Sequence, residues 1–208
     1  MRGYGVVMSE RQRYLTAART YVGQVAGISE DAWDGPGLGD WDLRALVGHA
    51  SRSLVTVLTY LDQPAEEPTV DSATDYYLVI GNGSFDPADV TARGVAAGEA
   101  MGEDPAGFVA GLLEEAEAKL ERFADDYVLT TIAGPMRLAA YLPTRTFELV
   151  VHGMDIARAT GQPVDHAREC VAEAVALAGA VAVRSGKGQD LLLALTGRAS
   201  LPDGFSIV

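Results

Sequence analysis

The stretch R-T-F-E-L-V-V-H-G-M-D-I-A-R, from Arg145 to Arg158, decides how the rest of this 208-residue chain is read. Glu148 and His152 stand four apart, so on a helix of 3.6 residues per turn the carboxylate and the imidazole lie one above the other on one face. That is the spacing of a bidentate metal-ligand pair, and also of an ordinary hydrogen bond on a helix flank. The neighbours Phe147, Leu149, Val150, Val151, Met154 and Ile156 are apolar nearly all round, which predicts a helix buried in a core. A carboxylate and an imidazole there need partners, because an unpaired buried charge is costly.

Histidine scarcity sharpens this reading. The chain has three histidines, and His49, in L-V-G-H-A, sits in a second apolar helical stretch. Two histidines on apolar faces and one buried carboxylate make the donor set of a His49, Glu148, His152 metal site with open positions. The third, His166, falls in a polar helix start and reads as a surface residue without a role.

T-R-T-F-E-L-V-V-H-G-M-D-I-A-R-A-T-G (Thr144–Gly161), taken with G-D-W-D-L-R-A-L-V-G-H-A (Gly39–Ala50), resembles the mycothiol-dependent maleylpyruvate isomerase family, within the DinB-like metal-binding helical bundles. The likeness runs over roughly residues 9 to 161 in order and spacing. It implies an actinobacterial setting, a divalent metal, zinc in most members, on His49, Glu148 and His152, and mycothiol as the thiol cofactor. The implied activity is cis–trans isomerisation or S-transfer on a small electrophilic substrate. A non-catalytic metal-binding bundle that takes a small ligand or a protein partner is the alternative. Arg198, in L-T-G-R, resembles the tail arginine of family members, although the C-terminal part is short here.

Two further residues of the central stretch are candidates for catalysis. Arg145, one turn before Glu148, could meet an anionic substrate or neutralise the carboxylates. Asp155, three after His152, could orient that imidazole through its second nitrogen or form a plain helix ion pair.

Composition bounds the rest. Apolar positions recur at three and four, which predicts an all-α chain, a DinB-like antiparallel four-helix bundle over residues 1–162 with a short reduced C-terminal extension, a helix and tail, over 163–208. A net charge of −13 repels phosphate backbones and anionic membrane surfaces, so nucleic acid and membrane are not expected partners. The expected partners are a low-molecular-weight thiol and a small-molecule substrate, and a homodimer is left open. The N-terminus lacks an apolar core of secretory length, which predicts a cytoplasmic protein. The single cysteine, Cys170, in an alanine-rich helical run, reads as a small core residue rather than a catalytic thiol.

Local signals place the elements. Ser9 and Gln12 have capping-box spacing before a first helix ending near Gly27; Asp42 caps a second through Leu61. Ala73–Ile80 is a short helix, Gly81–Ser84 a turn, and Asp86-Pro87 and Asp104-Pro105 open helices to about Ala100 and Phe123. The weak periodicity of Ala73–Ala100 predicts a segment outside the bundle or across one end. Val128–Ile132 reads as extended, broken by Gly134-Pro135; a turn of helix follows at Met136–Tyr141, and Pro143 sits just before the metal helix, which Gly161 stops. Asp165–Ser185 is another helix, and the tail an apolar segment, a turn and a closing strand or coil. Trp33 and Trp41 read as packing residues, with Trp41 near enough to His49 in sequence to wall the site.

Overall fold

Ser9 opens the first helix as its spacing predicts: the Ser9 hydroxyl accepts from the Gln12 backbone and the Gln12 side chain accepts from the Ser9 backbone. In the computed structural model, which describes residues 8–82 and 87–207, α1 (Glu10–Ala26) is followed by a 3-10 turn at Glu30–Ala32 and α2 (Leu43–Tyr60). Next come α3 (Ala73–Asn82), α4 (Pro87–Ala100) and α5 (Pro105–Leu120). A hairpin of β1 (Val128–Thr131) and β2 (Gly134–Arg137) leads into α6 (Leu138–Thr160), α7 (Arg168–Arg184) and α8 (Gly188–Leu195). The Asp42 carboxylate accepts from Ala45 N–H at 2.7 Å and that of Asp104 from Gly107 N–H at 2.9 Å, each satisfying an orphan donor of a first helical turn. Gly161 ends α6 at φ 71°, a left-handed stop that glycine takes without a Cβ penalty.

The core lies where α1, α2, α5 and α6 meet. Tyr14 and Tyr21 of α1 are fully buried and donate their hydroxyls to the carbonyls of Ser53 (3.2 Å) and Val47 (2.8 Å) on α2, so two large rings enter the core with no polar atom stranded. Arg11 of α1 donates to the Leu120 and Phe123 carbonyls, closing the C-terminus of α5 with a cation. The inner face of α7 (Cys170, Ala174, Leu177, Val181) joins the same apolar cluster, and the Cys170 thiol donates to the Arg13 carbonyl, as suits a core cysteine. Among the described residues no helix is long and apolar enough to cross a membrane.

The fold is mostly helical but not all-α. Val128–Thr131 pairs antiparallel with Gly134–Arg137, in the register Val128 with Arg137 and Thr131 with Gly134. Gly134 turns at φ 120°, a value only glycine holds easily, and so starts the second strand instead of ending the extended segment. The segment following α2 covers the hairpin edges: Ala65 N–H donates to Val128, Thr130 N–H to Gln63, and Thr69 and Val70 N–H both to Pro135. Met136 and Arg137 are therefore strand, where a turn of helix was expected. The helix that carries Glu148 and His152 begins at Leu138, which puts Pro143 inside it rather than before it.

One expectation for the middle of the chain changes. Gly81 and Asn82 are the last residues of α3 rather than part of a turn; Gly83, Ser84 and the Asp86 cap lie outside the described residues. As the weak periodicity predicts, α4 lies outside the group of helices that meet in the core, but it packs closely along α2. Its contact surface is glycine: a Cβ on Gly48 would sit 2.2 Å from the backbone nitrogen of Gly98, and one on Gly94 would sit 2.5 Å from the Trp41 ring. Apolar periodicity registers large side chains and misses an interface made by their absence. In the tail, the apolar segment is α8 and the residues after it are coil.

Candidate metal centre

Two helices build the site. α2 carries His49 two turns beyond its Asp42 cap, and α6 carries Glu148 and His152 on one face. One ring nitrogen of each histidine and one Glu148 oxygen lie within 4.8 Å of one another, and all three residues are half-buried. The rings of His49 and His152 meet edge to face at 5.0 Å, and Trp41 lies 4.6 Å from His49, so the tryptophan does wall the site. The indole N–H donates to the Thr91 carbonyl on α4, which holds that wall in place.

On α6 the ring of His152 bridges two carboxylates. Its Nε2 is 3.2 Å from Glu148 Oε2 and its Nδ1 3.2 Å from Asp155 Oδ2. Burial alone would lower the His152 pKa, but the hydrogen bonds to Asp155 and Glu148 outweigh it and raise the imidazole to about 9. Burial would likewise raise Glu148, yet the His152 hydrogen bond and the Arg145 charge bring it down to about 2. His49 moves the other way, to about 4, through burial and the charge of His152 beside it. A neutral imidazole thus faces an ionised carboxylate and a charged imidazole, and His49 Nδ1 is buried with no hydrogen-bond partner.

Asp155 reaches the second nitrogen of His152, the contact its spacing suggested, and not Arg158 or Arg145. Arg145 is buried. Its Nε donates to Thr144 Oγ1 at 3.0 Å and Nη2 to Tyr76 Oη at 3.2 Å, and the guanidinium lies 5.4 and 5.2 Å from the ring centres of Tyr76 and Tyr141. Arg198 is exposed and donates to the Thr196 carbonyl of its own turn. His166 is not a surface residue: its ring packs on α6 at Gly153, where a Cβ would meet Nε2 at 2.6 Å, and both ring nitrogens are buried. Sequence reasoning missed Tyr77 of α3, whose hydroxyl donates to Glu148 Oε1 at 2.6 Å. Its one available signal is the Tyr76-Tyr77 pair in an otherwise weakly patterned helix.

The donor set fits a divalent cation: two imidazole nitrogens and an ionised carboxylate converge, an imidazole nitrogen of His49 lacks a partner, and His152 is oriented from behind by Asp155. No curated protein and no solved structure matches the chain. The sequence profile of the mycothiol maleylpyruvate isomerase N-terminal domain matches residues 14–157, which run from within α1 through most of α6 and include all three converging residues. With that match over more than half of its length, the chain belongs to the mycothiol maleylpyruvate isomerase N-terminal domain family.

Proposed function

We propose that this protein is a metal-dependent enzyme that uses mycothiol to isomerise or S-transfer a small electrophilic substrate. The observation that carries the reading is the convergence of His49, Glu148 and His152, half-buried, at the meeting of α2 and α6. These three residues would hold the ion, and imidazole with carboxylate favours zinc among the common cations. Bound there, such an ion supplies Lewis acidity that lowers the pKa of a coordinated thiol toward neutrality.

The chain's own residues do the rest. Asp155 accepts from His152 Nδ1 and so leaves Nε2 as the ligating nitrogen, a positioning role. Arg145, held between Tyr76 and Tyr141, lowers the Glu148 pKa from one turn away and keeps that carboxylate ionised. Trp41 shields the His49 side of the site from water. The same reading takes α1, α2, α5 and α6 as the DinB-like bundle, residues 1–162 as the metal-binding part and 163–208 as its extension, in a cytoplasmic protein whose partners are a low-molecular-weight thiol and a small substrate.

Cobalt substitution tests it. The cobalt-loaded protein is expected to bind one ion and to develop a thiolate-to-cobalt charge-transfer band when mycothiol is added. Stoichiometric cobalt without that band leaves a metal-binding protein with no thiol chemistry; no cobalt uptake removes the metal centre.

A further inference from the structure

The two tyrosines at the centre of α3 each grip a different charged residue of α6. Arg145 and Glu148 are three apart on α6, the spacing at which an arginine and a glutamate pair with each other. They do not pair within salt-bridge distance here: the ion pair of Glu148 runs to His152. Tyr76 donates nothing to Glu148; its hydroxyl accepts from Arg145 Nη2 and its ring lies beside the guanidinium. Tyr77 donates to Glu148 Oε1 at 2.6 Å, within the range of a strong O–H···O⁻ bond to an ionised acceptor. The second oxygen, Oε2, is thereby turned to His152. Tyr77 is itself fixed, buried with its ring edge-on to Phe147 at 5.3 Å and to Tyr76 at 5.5 Å.

We infer that Tyr77 is a positioning residue that holds Glu148 in the orientation needed for metal binding, with Tyr76 keeping Arg145 away from it, so that docking of α3 and loading of the metal are coupled. The inference rests on the metal-centre reading above. Tyr77 contributes one hydrogen bond to the carboxylate, and losing it frees Glu148 to rotate toward the nearest other cation, Arg145. A carboxylate held by Arg145 is a weaker ligand, and outer partners of this kind typically change metal affinity 10- to 100-fold. Coupling also runs in reverse: a metal that binds better when α3 is docked must stabilise the docked helix by the same factor. α3 is a suitable reporter, because Tyr76 and Tyr77 are its buried residues and the rest of the helix is half-buried or exposed.

Zinc affinity is measured by chelator competition on the wild type, on Tyr77→Phe, which keeps the ring and removes only the hydroxyl, and on Tyr14→Phe, which loses a buried hydroxyl bonded to the Ser53 carbonyl and not to a residue of the metal centre. The expected result is a 10- to 100-fold weaker zinc complex for Tyr77→Phe, an altered cobalt d–d spectrum, and wild-type affinity for Tyr14→Phe. Amide hydrogen exchange of the wild type, with and without zinc, gives a second readout that needs no variant: exchange across Ala73–Asn82 should slow on loading. Wild-type affinity in Tyr77→Phe overturns the positioning role, and unchanged α3 exchange on zinc loading overturns the coupling. Equal weakening in Tyr14→Phe does so too, since the effect is then one of general stability. A wild type that takes up neither zinc nor cobalt defeats the metal-centre reading itself, an outcome distinct from any of these.

Discussion

Replacing Gly48 by alanine is expected to destabilise the protein although the residue sits inside a helix, where alanine is intrinsically favoured by about 1 kcal/mol. The added methyl would lie 2.2 Å from Gly98 N and 2.5 Å from Gly98 Cα and the Ala97 carbonyl carbon, all backbone atoms of α4 with no rotamer to yield. Relief requires α2 and α4 to separate by roughly 1 Å, and overpacking of this kind costs about 1–3 kcal/mol, with rigid backbone placing it at the upper end. The net loss is on the order of 2 kcal/mol, or about 4–8 °C in melting temperature for a chain of this size. Gly23→Ala in α1 and Gly111→Ala in α5 are the matched controls. A Cβ at either meets nothing within 4 Å, so the propensity gain should appear there as a rise of up to about 1 kcal/mol. Thermal melts of the three variants in chelator give the comparison. Because His49 follows Gly48 directly, the zinc affinity of Gly48→Ala should fall as well. A Gly48→Ala protein melting at or above the wild type would refute the glycine-mediated contact between α2 and α4.

His152→Ala should abolish metal binding while the helical fold persists, since the apolar core is continuous without the ion; a stability loss of about 1–3 kcal/mol is expected from leaving Glu148 poorly compensated. Metal content by mass spectrometry beside thermal melting checks it, and full metal retention by the variant would remove His152 from the ligand set. In the metal-free protein the His152 pKa of about 9 lies above its ordinary 6.5. The stability contributed by its bonds to Asp155 and Glu148 is therefore fully present below pH 6.5 and lost as pH rises through about 9. Melting temperatures in chelator should fall across that window in the wild type and stay flatter in His152→Ala; identical profiles would show that the imidazole is not held charged.

Helix starts and stops were legible in the chain wherever a side chain or glycine acts on its immediate neighbours. Ser9 with Gln12, Asp42, Asp104 before Pro105, and Gly161 all act within a turn, and all hold in the structure. Glu148 and His152 were legible as a pair for the same reason, because a spacing of four on one helix is local geometry. Histidine scarcity and the apolar stretch around it then added His49, and the fold brings its donor to within 4.8 Å of theirs. The hairpin was half legible: Val128–Thr131 carries β-branched strand chemistry, but its partner contains Gly134 and Pro135 and becomes a strand only through pairing with β1 and capping from Thr69 and Val70.

By itself the sequence determined a mostly helical chain, the helix termini set by a local cap or glycine, and a candidate two-histidine, one-carboxylate donor set, since these depend on period, capping and residue chemistry over short spans. Tertiary structure alone decided the rest. Placing α4 along α2 depends on Gly48 and Gly98 lying opposite each other, a close approach of backbones that leaves no mark in apolar periodicity. Burial of His166 against Gly153 depends on where the chain turns after Gly161, and its polar flanking sequence concealed it. Whether Glu148 pairs with Arg145, three residues before it, or with His152, four after it, is degenerate on an isolated helix. Tyr76 and Tyr77 break that degeneracy from α3, about seventy residues earlier, because a half-buried carboxylate and a buried guanidinium each take the hydrogen bonds that packing brings to them.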